Sequence, residues 1–170
     1  MKTVRLQDLP LWSGWPRWLI TALVAVTLAA CASTPAVVSH GFGFDFISDS
    51  PDAELLDYRY GTSYYGKSER QSMGRVGQQT AIFGAIRKGD DLYVKWRLKS
   101  TGEVFEETVD LKSRLPADIK GSRIYFLVRG PQLYVYLITD QKRAKDESPN
   151  GPSKWSSFRT LTIYPDLPKR

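Results

Sequence analysis

A chain of 170 residues, 42% hydrophobic and 25% charged with a formal net charge of +6, has room for one domain of ordinary size and excludes a second full one. Its basic and acidic residues are interspersed, which argues against nucleic acid, a ligand that wants basic residues gathered on one face. The single cysteine excludes an internal disulfide.

In chain order, Lys2, Arg5 and Arg17 come first and are followed by an uncharged run, Trp18 to Ala30 (WLITALVAVTLAA), that ends in small residues. That is the order of an export signal. Thirteen helical residues span about 20 Å, short of the roughly 30 Å hydrocarbon core of a bilayer, so the run is too short for a permanent span. Extending it backwards meets Pro10, Gly14, Pro16 and Arg17, which interrupt a helix or bring a charge into lipid. Residues 1–30 are therefore expected to be a cleaved signal helix. Their removal takes away three bases and Asp8, leaving a net charge of +4.

The run closes with Leu28-Ala29-Ala30-Cys31, which resembles the lipobox of bacterial lipoproteins. The resemblance implies a diacylglyceryl group on the Cys31 sulfur, cleavage before Cys31 and an N-acyl chain on its new amino group, with no other cofactor. A single acyl chain binds a membrane only marginally, whereas several hold it durably. Ala32 stands where an aspartate retains enterobacterial lipoproteins in the inner membrane, so the resemblance implies an outer-membrane anchor facing the periplasm. Residues 31–39 read as an acylated tether, because Pro35 opposes a helix. The eight residues after Cys31 reach at most about 28 Å.

Residues 40–170 read as a single β-rich domain. Tyrosine, phenylalanine, valine and isoleucine recur in short runs separated by glycine, proline and acidic clusters. Strands are expected near 41–47, 54–60, 78–86, 91–99, 103–111, 122–129, 132–139 and 157–164, with a short helical turn at Leu115–Ile119. Eight short strands with hairpin spacing imply an all-β fold, a small barrel or, the reading favoured, an antiparallel β-sandwich. A two-residue loop at Thr101-Gly102 would pair Leu98 with Phe105, Val94 with Val109 and Arg97 with Glu106, leaving Glu107 opposite Trp96 on the apolar face. A Gly130-Pro131 loop would pair Val128 with Leu133, Phe126 with Val135 and Ile124 with Leu137. The other face of that second hairpin carries Tyr125, Tyr134 and Tyr136, a candidate partner surface or a face covered by the domain's own second layer.

Two polar stretches interrupt the strands. Residues 61–79 hold four glycines with Lys67, Arg70 and Arg75, a candidate loop for anionic headgroups at about 1 kcal/mol per cation. Residues 140–154 read as a solvated excursion. The first lacks a phosphate-loop motif, and neither is a repeat.

No catalytic residue is expected. His40, the lone histidine, sits beside the tether and reads as an exposed linker residue, and one histidine with an acylated cysteine cannot furnish a usual zinc shell. Glu106 and Asp110 project from one strand face about 13 to 14 Å apart, beyond glycosidase separations, and read as a surface charge ladder with Lys95 and Arg97. Glu107 among apolar neighbours is expected either to have a raised pKa or to hold its head in water at a strand edge.

Leu92 to Trp96, Val109 to Leu111, Arg114 to Pro116 and Leu133 to Ile138 resemble segments of small uncharacterised proteobacterial lipoproteins. The reading is a non-enzymatic, membrane-anchored periplasmic module that binds a protein or envelope component, with no nucleic-acid partner. One alternative is an immunity protein neutralising a secreted lipase-type toxin, by analogy with similar small lipoproteins. A third is an enzyme acting on lipid or glycan.

Overall fold

The structure is a computed structural model that describes residues 37–62 and 76–166. The chain divides into two compact units, Met1–Thr34 and Pro35–Arg170, and every described residue belongs to the second. In order, its elements are β1 (Val37–Asp45), α1 (Phe46–Asp49), β2 (Ala53–Tyr60), β3 (Gln79–Arg87), β4 (Asp91–Leu98), β5 (Val104–Asp110), β6 (Arg123–Arg129), β7 (Gln132–Lys142), a short 3-10 turn (Ser153–Trp155) and β8 (Phe158–Tyr164). Two sheets face each other across one core, one of five strands in the order β3-β1-β6-β7-β8 and one of three in the order β2-β4-β5. The pair β1–β6 is parallel and the other described pairs are antiparallel. The expected all-β sandwich of about eight strands is the fold found.

Period-two alternation decides which side chains enter the core. Leu92, Val94 and Trp96 of β4 point inward and are buried, while Tyr93, Lys95 and Arg97 point out. In β1 the alternation sends His40, Phe42 and Phe44 inward, and Gly41 and Gly43 occupy the outward positions. The centre is aromatic: Phe42 stacks on Tyr60 at 4.7 Å, and Phe44 meets Tyr58 and Phe126 at 4.8 Å each. The Trp96 indole N–H crosses between sheets to donate to the Gly130 carbonyl at 3.0 Å.

β1 begins at Val37, so the last three residues of the expected tether are strand instead. They are held by antiparallel pairing to β3, with Val37 opposite Arg87 and Ser39 opposite Ala85. β1 ends at Asp45, whose carboxylate caps α1 by accepting from the Ser48 N–H at 3.0 Å.

The β6–β7 register is the expected one, Val128 to Leu133, Phe126 to Val135 and Ile124 to Leu137. The β4–β5 register differs from expectation by two residues: Trp96 faces Phe105, Val94 faces Glu107 and Lys95 faces Glu106. A two-residue type I′ loop would need positive φ at Thr101, which a β-branched residue resists. The chain instead makes a longer connection in which Gly102 takes positive φ (76°) and donates to the Leu98 carbonyl at 2.8 Å. A shift of two keeps every side chain on its expected face. The helical turn expected at Leu115–Ile119 lies earlier, ahead of Pro116, where the Leu115 N–H donates to the Leu111 carbonyl at 2.9 Å.

Candidate functional site

The three-stranded sheet turns a ladder of charges to water. Lys95 meets Glu106 at 3.0 Å, Arg97 approaches Glu54 at 4.0 Å and Arg59 meets Asp91 at 3.0 Å. The Tyr93 hydroxyl donates to the same Glu106 oxygen at 3.0 Å, and the two contacts hold that carboxyl below its usual range. This is the charge ladder expected for Glu106. Its partner is Lys95 rather than Arg97, because the register shift moves Arg97 opposite Val104. Asp110 accepts from the Ser113 N–H at 3.2 Å, a turn contact outside the ladder.

The opposite face of the sandwich, the outer side of the five-stranded sheet, is divided. Over β6, β7 and β8 runs the polar stretch 140–154, most of whose residues are exposed as expected, but Arg143 and residues 150–155 rest on the sheet. Lys154 sits 3.1 Å from Asp45, 3.4 Å from Asp49 and 4.8 Å from the centre of the Tyr125 ring. The Arg123 guanidinium lies 5.1 Å over Trp155. Asn150 donates to the Thr162 hydroxyl at 2.8 Å, Arg143 donates to the carbonyls of Ser156 and Glu147, and Gly151 rests against Tyr136.

This cover overturns the reading of Tyr125, Tyr134 and Tyr136 as an open partner surface. The three do share a face, as expected. Yet Tyr125 is 2% exposed and Tyr136 4%, leaving only Tyr134 half-exposed, stacked on Tyr136 at 6.4 Å. The Tyr125 hydroxyl donates to Asp49 at 2.6 Å, and burial, then that carboxylate, push its pKa far up. Sequence composition reports polarity but not the cation–π and ion-pair contacts by which a polar segment packs on aromatic rings.

At the other edge of the same face the Arg123 side chain lies over Gly41 and the Tyr125 ring beside Gly43, so β1 is covered there, whereas β3 and Val37 at the start of β1 stay exposed. Phe83, 58% exposed, lies opposite Gly41, and Val37, 61% exposed, lies opposite Arg87. Ala81 and Ala85 flank Phe83 on the same face and are also exposed. The backbone approach is close here, since a Cβ on Gly43 would fall 2.8 Å from the Thr80 carbonyl oxygen. Sequence reading passed over Phe83; its one signal is the alternation Ala81, Phe83, Ala85 against Ile82 and Ile86, which assigns Phe83 to the outer face without saying whether anything covers it.

His40 is fully buried, contrary to its expectation as an exposed linker residue. Its Nδ1 lies 2.9 Å from the Val38 carbonyl and its Nε2 lies 2.8 Å from the Tyr60 hydroxyl. A carbonyl only accepts, so Nδ1–H donates to it and Nε2 accepts from the tyrosine, the pattern of a neutral ring. Burial lowers the His40 pKa and Lys88 lowers it further, against the Val38 carbonyl, which raises it. Glu107 sits opposite Val94 rather than Trp96, half-buried, and accepts from the Tyr164 hydroxyl.

Among the described residues no group of three or more His, Cys, Asp or Glu side chains could hold a metal ion, and no helix is long and apolar enough to cross a membrane. Leu28, Ala29, Ala30 and Cys31, and Lys67, Arg70 and Arg75, lie outside the described residues. Comparison with family profiles, with curated proteins and with solved structures finds no match.

Proposed function

We propose that this protein is a lipid-anchored envelope module, a non-enzymatic β-sandwich held at the periplasmic side of the outer membrane by acyl chains on Cys31. The observation that carries the reading is Leu28-Ala29-Ala30-Cys31 at the end of an uncharged run preceded by bases. The start of β1 at Val37 fits it. Only six residue steps separate that strand from the sulfur, a reach of at most about 22 Å, so an anchor there holds the domain close to the bilayer.

The non-enzymatic part draws support from how the titratable groups are used. His40 is bonded on both ring nitrogens, Glu106 is held by Lys95 and Tyr93, and Asp45 by Ser48 and Lys154. Each serves a structural contact.

The test is Cys31→Ser in the full-length chain, expressed in a Gram-negative host. Intact mass of the wild type is expected to carry the diacylglyceryl and N-acyl groups, and the variant to lose them and move from the membrane fraction to the soluble one. An unmodified thiol on the wild-type protein would falsify the reading.

A further inference from the structure

We propose that the exposed edge of the five-stranded sheet, the outer face of β3 with Val37 at the start of β1, is the side of the domain that lies against the lipid surface. The inference rests on the anchored reading of Cys31 and adds to it an orientation.

Three observations carry it. The first is where the chain leaves the domain. Val37, the first residue of β1, belongs to this face, and six residue steps tie it to Cys31 within at most about 22 Å. The anchor is therefore tied within that reach of one end of β1, at the edge where Val37 is exposed, whereas the charge ladder of β2, β4 and β5 looks the other way.

The second is the contrast between the two outer faces. Bringing the ladder against lipid would strip water from Lys95, Glu106, Arg97 and Glu54, all substantially exposed. Bringing the β3 edge against lipid strips water from Val37, Ala81, Phe83 and Ala85, which favour leaving it. An amphipathic surface held at a bilayer places its apolar side toward the headgroup and acyl boundary, as interfacial amphipathic helices do.

The third is charge. Arg87 stands on the same face at the end next to Val37, suited to anionic headgroups. The one acid at an outward position of these two strands, Asp45, lies at the far end and is neutralised by Lys154 at 3.1 Å. The other half of the sheet is not available for the same purpose, because residues 143–157 already cover it.

The test uses the acylated full-length protein in vesicles of phosphatidylethanolamine and phosphatidylglycerol. Phe83→Cys and Val104→Cys each place one free thiol on the domain, since Cys31 is consumed by its lipid, and each takes a nitroxide. Val104, exposed on β5, reports the opposite face. Collision with a water-soluble nickel chelate is expected to fall severalfold at position 83 on vesicles, with oxygen collision rising, and to stay unchanged at position 104. Equal water access at both positions, with mass spectrometry confirming an acylated Cys31, overturns the orientation and leaves the anchor standing. A wild-type Cys31 without acyl groups overturns both. Protection of position 83 in the lipid-free Cys31→Ser background, lost on dilution, assigns the face to a second copy of the chain and likewise overturns the proposal.

Discussion

A proton added to the His40 ring turns Nε2 from an acceptor into a donor, so the hydrogen bond it accepts from the Tyr60 hydroxyl at 2.8 Å is lost. The ring is buried, so charge there is also poorly solvated, and its folded pKa lies below the ordinary value of 6.5. The sign follows: the unfolded chain binds the proton more tightly than the folded one. The stabilisation from a neutral ring is complete above about pH 6.5 and is lost as pH falls from there through the lower folded value. Over that window the unfolding free energy of the wild type is expected to drop by up to about 1.4 kcal/mol per pH unit from this group. In His40→Gln the amide keeps a donor and an acceptor but cannot titrate, so its denaturant-derived stability should be flatter between pH 7 and pH 5. Parallel curves for the two proteins would show that the proton goes elsewhere. The burial of His40 was hidden in the sequence because Pro35 and small residues precede it. Its polar neighbour Ser39 also masks the alternation that continues from Val38 through Phe44.

Residues 143–157, with only the short 3-10 turn as regular structure, show how an irregular element is fixed. Its fastener is Lys154, which joins the segment to Asp45 at the end of β1, to Asp49 in α1 and to the Tyr125 ring of β6. Over a third of the lysine side chain remains exposed, so its ion pairs contribute little to global stability, under about 1 kcal/mol. They act on local opening instead. Lys154→Ala is therefore expected to speed limited proteolysis within 143–157 severalfold while moving the global unfolding midpoint only slightly. Unchanged cleavage would mean that Trp155, Asn150 and Arg143 hold the segment without the lysine. At this scale the sequence was legible where local rules bind tightly. The Gly130-Pro131 turn admits one register and its pairs were readable, whereas Thr101-Gly102 admitted a shorter loop on side-chain matching alone and only the φ requirement of Thr101 rejects it. The site divided in the same way. Cys31 is a local chemical motif and stands out in the sequence. The exposure of Phe83 depends on β3 being the edge of its sheet, a consequence of the non-local β1–β3 and β1–β6 pairings that no window of sequence contains.

For the molecule as a whole, the two sheets do not own separate cores. Phe42, Phe44 and Phe126 of the larger sheet pack directly on Tyr58 and Tyr60 of the smaller one, and Ser50, between α1 and β2, both donates to and accepts from the Val128 backbone at 3.0 and 2.9 Å. A three-stranded sheet stripped of its partner would expose Leu92, Val94 and Trp96 at once and lose most of what stabilises it. Chain order argues the same way, since β1 and β3 of one sheet enclose β2 of the other, so neither sheet is a continuous piece of chain. The domain should thus unfold in one cooperative step. Trp96 is a suitable witness: it is buried at the contact of the sheets, stacks on Phe105 at 5.7 Å and bonds across to Gly130. In a chain from Cys31 onward, Trp155→Phe leaves it as the one tryptophan. Its emission and the far-ultraviolet signal of both sheets are then expected to follow the same denaturant curve, with one midpoint and one slope. Loss of Trp96 burial well before the strands melt would mean that the sheets separate as independent units, and the single shared core would have to be given up.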